Sequence, residues 1–406
     1  MLPENIGNVM GLGWLTQNYY SGLEGQPLAS AIFGDYAALV YLTPILGGVI
    51  ADRWLGRRTT LVLGGLVMAL GHFLMAFEST FLLALITLVT GVGLFKGNIA
   101  SQVGELYSDS DLRRAMAFQI FYIAINVSVI AAPLVSGTLG EKVGWHWGFG
   151  TAGIVMVVGL LIYLAAGKYL PADNRPAKGA TKTNGGGLTR QDVPRLAALL
   201  LLVPVLALAL LTNQEIFNAY LVWADEHFQL TFAGNTLPTS WMITLDAAFS
   251  FSMLVAVAAF WKWRSAKTGR EPDELGKMII GSFFTIAGGL CLVIAAATQG
   301  DAKIGLFWPV MFHLLNSIGF SHILPVSLAL FTKVAPKAVT ATVVGIYYLA
   351  FFAANKIVGV VGGWYSSMDT VQFWLLHVAT AAVGLVAFTL FKFLVADRLM
   401  AVPAAR

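Results

Sequence analysis

The chain has 406 residues; 57% are hydrophobic and only 11% charged, its mean hydropathy is +0.75 and its net charge is +4. A soluble domain carries about 25% charged residues, so this composition excludes a protein that must clothe its whole surface for water. The single cysteine, Cys291, lies inside an apolar run and excludes a disulfide framework.

Residues 1–28 are apolar but broken by Asn5, Asn8, Gln17 and Asn18, which predicts a loop or a partial helix. Five membrane spans follow at 29–50, 58–78, 80–104, 113–138 and 147–168, forming an N-terminal bundle over 29–168. Each apolar run is long enough to cross about 30 Å of hydrocarbon as a helix. Residues 169–194, "YLPADNRPAKGATKTNGGGLTRQDVP", have the Gly, Pro, Lys and Thr content of a flexible linker. Six spans come after it, at 195–222, 238–263, 277–298, 305–332, 339–362 and 370–396, forming a C-terminal bundle over 195–396 that ends in a tail at 397–406. No cleavable signal peptide is visible.

Charge gives an independent check on this layout. If the "ADRWLGRR" connection near residue 55 is cytoplasmic and sides alternate from there, the cytoplasmic face holds all of the 25 Lys and Arg residues except Lys96, Lys142, Lys303 and Lys356. That is the positive-inside pattern. The excess positive charge is therefore a topology signal, with no nucleic-acid partner expected, and the C-terminal tail is expected in the cytoplasm. Five spans and six around a cytoplasmic linker approach the six-plus-six layout of major facilitator transporters, whose halves rock about a midplane site. The first helix of that scheme would be missing or altered here.

Three stretches in order carry a closer resemblance: "GDYAALVYLTPILGGVIADRWLGRR" at 34–58, "GVGLFKGNIASQVGELY" at 91–107 and "FQIFYIAIN" at 118–126. Together they resemble the proton-dependent oligopeptide transporter family, from about residue 29 to 396. The resemblance implies an all-α fold of two six-helix bundles and proton-coupled uptake of di- and tripeptides by alternating access. Many bacterial members carry two further helices between the halves, for which the linker here is too short and too polar. The family's acidic-acidic-Arg first-helix motif is absent before residue 29; "NYY" at 18–20 has its tyrosines but no adjoining Glu or Arg. The family's "LFKPN" is "LFKGN" here, its "NxGS" is "NVSV", and Phe320 stands where the family has a glutamate on its tenth helix.

A lysine within a span costs about 2.5–3.5 kcal/mol or more unless it faces a partner or water. Lys96 is therefore functional by default, the other reading being an ammonium that snorkels from near a helix end. The resemblance sets it beside the peptide carboxylate. Tyr41 and Asn126 match family positions that hydrogen-bond the peptide backbone, which suits a carrier of many sequences. Glu215, in "LLTNQEIFNAY", would hold the peptide's amino end or carry the proton, with Gln214 its rival one residue away and an interfacial acid the plainer reading. Asp246, in "MITLDAAFSF", would take a substrate or proton role, or cap a helix end. Lys356, in "FFAANKIVG", is a second lysine within a span, with Asp246 or a substrate carboxylate as its expected partner. His322, close to the missing glutamate, would serve as a proton-sensitive group or be satisfied by a backbone carbonyl. His72, His146, His227, His313 and His377 show no pairing or spacing and read as structural or interfacial. In the turn at 52–57, Asp52, Arg53, Gly56 and Arg57 would brace the halves and exchange salt bridges as they rock.

No HExxH, GxSxG, P-loop or Cys–His pair is present, so no enzyme, metal or other cofactor is expected, and an ion gradient replaces ATP as the driving force. The expected protein is a monomeric, proton-coupled peptide symporter of the bacterial inner membrane, its partners being peptides, protons and the lipid bilayer. A carrier of other small organic solutes and a transport-inactive, receptor-like relative are the alternatives.

Overall fold

In hydrocarbon every backbone N–H and C=O must be satisfied within the chain, and a helix does this in a single segment. The computed structural model describes residues 6–107, 113–170, 190, 192–336 and 339–396, and it is all-α apart from one two-stranded hairpin. Among the described residues, eleven helices are long and apolar enough to cross a membrane. Residues 1–5, most of the linker expected at 169–194 and the tail at 397–406 lie outside the described residues. The chain divides into two compact units, 1–182 and 183–406.

The first unit includes a short helix, α1 (Leu12–Asn18), in the stretch where a loop or a partial helix was expected. Tyr20 follows it and donates a 3.1 Å hydrogen bond to Asp35. Burial, together with the Asp35 carboxylate, pushes the Tyr20 phenol well above its ordinary range. Five long helices then follow: α2 (Gly25–Ile50), α3 (Arg57–Met75), α4 (Phe81–Glu105), α5 (Arg113–Ala132), which continues through a short α6 (Thr138–Lys142), and α7 (Trp145–Ala165). α4 packs on α2 and α3, and α3 packs on α7. Small residues let membrane helices approach closely. A Cβ on Gly47 of α2 would stand 1.9 Å from the Gly93 carbonyl oxygen of α4, so no side chain fits at that crossing.

The second unit opens with α8 (Val193–Glu215), which breaks at 216–218 and resumes as α9 (Ala219–His227). The sequence reading had one uninterrupted span there, ending at 222. Beyond it lies a small hairpin, β1 (Thr231–Phe232) paired with β2 (Asn235–Thr236), turning through Ala233 and Gly234 at positive φ, as a tight two-residue turn requires. Then come α10 (Trp241–Thr268), α11 (Glu274–Thr298), α12 (Phe307–Val334), α13 (Thr340–Gly363) and α14 (Thr370–Phe391). α11 packs on α12 and α14, α8 on α13 and α14, and α10 on α12. An aromatic cluster including Tyr220, Trp223, Phe228, Phe312, Phe373 and Trp374 forms the core of this unit beneath the α8–α9 break.

Candidate functional site

In the first unit, α4 carries Lys96 nine residues before its end at Glu105, roughly 13 Å along the axis at about 1.5 Å per residue. The ammonium lies 4.5 Å from the centroid of the Tyr41 ring on α2. Such a cation–π contact contributes about 0.5–1 kcal/mol when exposed and more when dry, and it holds the lysine head in place without neutralising it. Within this unit, no described carboxylate comes within ion-pair reach of Lys96. Two residues on, Asn98 is buried and donates to the carbonyls of Leu94 (2.8 Å) and Gly47 (3.3 Å), pinning α4 to α2. Asn126 lies on α5, its amide donating to the Tyr122 carbonyl at 2.8 Å.

The turn between α2 and α3 widens into one π-type turn at Ala51–Leu55, and Gly56 takes φ +80°. Arg57 ion-pairs with Glu105 at the end of α4 and, at 3.4 Å, with Asp52. Arg53 is exposed.

The second unit buries its acids. Helix α8 ends in Asn213, Gln214 and Glu215, all buried. Gln214 donates to Asn213 at 3.1 Å and accepts from Asn355 of α13 at 3.2 Å. Lys356 is the next residue on α13 and is half-buried. The α8–α9 break would leave the first N–H groups of α9 without partners; Glu215 Oε1 accepts from the Ala219 N–H at 3.1 Å, and Asn218 donates across to the Val358 carbonyl. Gly362 of α13 makes room for this cap, because a Cβ there would stand 2.7 Å from Glu215 Oε1 and 2.0 Å from Asn218 Nδ2. The side chains of Glu215 and His377 are both 0% exposed, with Oε2 and Nε2 3.3 Å apart. The His377 Nδ1–H donates to the Phe373 carbonyl at 2.9 Å.

Asp246 of α10 is buried and bonds His313 of α12, with His313 Nδ1 3.1 Å from its Oδ1. Tyr220 of α9 lies 2.8 Å from the other imidazole nitrogen of His313. Asp246 was expected as one possible partner of Lys356, the other being a substrate carboxylate; His313 is the partner shown here for Asp246. Two histidines read from sequence as structural or interfacial therefore face the two buried acids. Position within an apolar span was the available signal, since ionisable groups there are functional by default. His322 is engaged differently. Its Nδ1–H donates to the Ile318 carbonyl at 2.8 Å and its Nε2 accepts from Trp261 at 3.0 Å, so a neutral imidazole satisfies both partners. It lines a cavity of about 730 Å³ with Trp261, Lys262, Lys277 and Ser321, to which neither Glu215 nor Asp246 contributes.

Comparison with known proteins agrees with the sequence resemblance. A family model described as Major Facilitator Superfamily matches residues 5–355. The peptide transporter YePEPT of Yersinia enterocolitica is 29% identical, the match covering 82% of this chain and 79% of the relative. A di-/tripeptide transporter of Lactococcus lactis is 27% identical over 88% of this chain and 84% of its own. Among solved structures, a mutant of the peptide transporter POT in complex with alafosfalin superposes with a TM-score of 0.84 at 25% identity, covering 97% of this chain and 92% of the other.

Proposed function

The chain belongs to the Major Facilitator Superfamily, and on that premise we propose that it is a proton-coupled symporter importing di- and tripeptides by alternating access. The observation that carries the reading is the Glu215–His377 pair. The Nδ1 of His377 spends its hydrogen on the Phe373 carbonyl, so its Nε2 meets a carboxylate oxygen at 3.3 Å. A lone pair facing a lone pair in a dry site is unfavourable, and one additional proton, on either atom, turns the contact into a hydrogen bond. With that proton the pair is neutral overall; without it, a net negative charge is left in an apolar interior at a cost of several kcal/mol. A site built to hold one proton, in a fold that moves solutes, is the requirement of a proton symporter.

The substrate class rests on two supports. Relatives matched along most of this chain are named as peptide transporters. Lys96, held over Tyr41 with no described carboxylate of its own unit within ion-pair reach, could receive the carboxylate common to every peptide. Tyr41 and Asn126 would bond the peptide backbone, while Gln214, Glu215, Asp246 and Lys356 would form the contacts of the second unit, Glu215 and Asp246 also carrying protons. Asp52, Arg53, Gly56 and Arg57 would serve gating, where the exposed Arg57 pairs can exchange partners. His322, satisfied as a neutral imidazole, is assigned to packing. The units would correspond to bundles at 29–168 and 195–396 joined by a cytoplasmic linker, in a monomer of the bacterial inner membrane with a cytoplasmic C-terminus, as the positive-inside bias requires.

The test is purified protein in liposomes given labelled dialanine and an inward proton gradient. Accumulation above the external concentration, abolished by collapsing the gradient and competed by unlabelled dipeptides, is expected. Gradient-driven uptake of another solute that dipeptides do not compete would overturn the peptide assignment. No gradient-driven uptake of any solute would overturn symport.

A further inference from the structure

We propose that the cavity between α10, α11 and α12 binds the phosphate-ester headgroup of an anionic membrane phospholipid. Neither buried acid–histidine pair lines it, so the site is independent of which solute the protein carries. Leu254, Val257, Ala258, Trp261, Lys262 and Ser265 line it from α10, at steps of three and four that set them on one helix face. Lys277 of α11, Glu271 of the α10–α11 connection, and Ser321 and His322 of α12 complete the polar wall. Its volume of about 730 Å³ lies within the range of sites that hold small molecules.

Along the α10 face the chemistry changes from apolar to polar. Leu254, Val257 and Ala258 come first, and Lys262 and Ser265 follow toward the helix end at Thr268. From Leu254 to Lys262 the axis advances roughly 12 Å at about 1.5 Å per residue. A phospholipid has the same order, hydrocarbon and then a phosphate ester. The depth fits as well. Phe260 and Trp263, which adjoin these residues in sequence, are 45% and 58% exposed, and the Lys267 ammonium lies 5.3 Å from the Trp263 ring centroid. Exposed aromatics and lysines at the end of a spanning helix mark the headgroup level of a bilayer. The orientation proposed above sets this end of α10 in the cytoplasm, where the facing leaflet carries anionic lipid.

Charge selects the class of lipid. Lys277 ion-pairs with Glu271, and its ammonium lies 5.7 Å from the centroid of the Trp261 ring. The Trp261 N–H is bonded to His322, so the ring against which that ammonium rests is fixed by the fold. Lys262 is exposed and has no ion pair among the described residues. Glu271 offsets one of the two ammonium groups, and His322 is satisfied as a neutral imidazole. The walls therefore keep a single positive charge at Lys262, and a phosphodiester carries a single negative one. The Ser265 hydroxyl, which has no described hydrogen-bond partner, supplies a donor on the same face as Lys262 for a phosphate oxygen. A zwitterionic lipid brings a cation of its own, which the lysines repel; an anionic one does not. Basic pockets between spanning helices at the cytoplasmic side hold anionic headgroups on these terms.

A ligand that binds only the folded protein raises its unfolding temperature in a saturable way. The purified full chain in detergent is titrated with phosphatidylglycerol in mixed micelles, with phosphatidylcholine at equal mole fraction, and with glycerophosphoglycerol, the same headgroup free in water. A saturable rise is expected with phosphatidylglycerol alone. Lys262→Met keeps an apolar stem and removes the ammonium, and it should raise the half-saturating phosphatidylglycerol by more than the roughly fivefold that one surface lysine lends by general attraction. Lys267→Met, on the same helix but outside the cavity, should stay within that fivefold. If Lys262→Met does not yield folded protein, Ala258→Trp, which fills the apolar part of the cavity from an exposed position, carries the test and should abolish saturation. Equal rises with phosphatidylcholine, or equal effects of the two lysine changes, overturn the proposal in favour of diffuse attraction. A rise as large with glycerophosphoglycerol overturns the lipid in favour of a soluble phosphate ester. The readout involves no transport, so its failure leaves the symport reading where it stands.

Discussion

The two units handle charge in opposite ways. In the first, the ion pairs of the 51–57 turn, including that with Glu105 of α4, stay at the surface: the side chains of Asp52, Arg57 and Glu105 are 63%, 32% and 43% exposed, and Lys96 is exposed as well. In the second, Glu215 and His377 are fully buried and Asp246 with His313 nearly so. Exposed ion pairs contribute about 0–1 kcal/mol and exchange partners cheaply. Buried ionisable pairs are governed by neutralisation, since an unpaired charge in the interior costs several kcal/mol. The first unit is thus built for contacts that form and break, and the second for groups whose protonation decides the energy of the fold around them.

The largest expected effect would break that contrast at its buried end. His377→Phe leaves Glu215 facing an apolar ring, and removing one partner of a buried charged pair costs about 3–5 kcal/mol. Thermal unfolding of the purified variant should show a large loss. A second change, Glu215→Gln, should recover much of it, because an uncharged amide can still accept from the Ala219 N–H. A loss under about 1 kcal/mol for His377→Phe, the level of an exposed pair, would mean that the second unit treats its charges as the first does.

The contrast is sharpened next at Lys96. A hydrogen bond to a charged group contributes about 1.5–3 kcal/mol, so Lys96→Met should raise the concentration of dialanine needed for half-maximal uptake by roughly 10- to 100-fold at 1.4 kcal/mol per tenfold. Dialanine amide, which lacks the carboxylate, should lose far less. Because Lys96 is exposed, the variant should unfold at nearly the wild-type temperature, unlike His377→Phe. Equal losses for the two ligands would remove the carboxylate from the argument.

What could be read before folding follows the same division. The eleven spans were legible because hydrocarbon demands long apolar runs, and all eleven helices fall where those runs lie. Lys96 and Tyr41 were legible as local motifs, and the fold sets one over the other. Glu215 and Asp246 stood out as acids in greasy surroundings. Their partners did not: His377 is 162 residues from Glu215 and His313 is 67 from Asp246, distances over which no spacing rule operates. The break at 216–218 was also hidden, since it depends on Glu215 capping α9 and on the absence of a side chain at Gly362, facts of packing between α8 and α13. His322 drew notice because it adjoins a position where a glutamate was expected, yet Trp261 and the Ile318 carbonyl satisfy it. Residue type indicated where chemistry is possible, and the tertiary neighbours determined which histidines are poised for it.

The smallest effect asks whether the second unit, at its surface, behaves like the first. Asp273 lies outside the spans, caps α11 by accepting from the Gly276 N–H at 2.9 Å, and ion-pairs with Lys392 at 2.6 Å. Partial burial works against its charge, but the Lys392 ammonium and the Gly276 N–H outweigh it and hold the carboxyl below its ordinary value. A carboxyl depressed in the folded state adds stability above its unfolded value, and that contribution is lost as pH falls through the folded one. Asp273→Asn keeps an acceptor for the cap and removes the ion pair, so at neutral pH it should cost about 0.2–1 kcal/mol. The gap between wild type and variant in thermal unfolding should close as pH drops below the ordinary carboxylate range, and it should shrink in high salt, because the side chain is 51% exposed. A gap that persists in acid would mean that the aspartate acts through its shape as a cap and that the lysine is incidental.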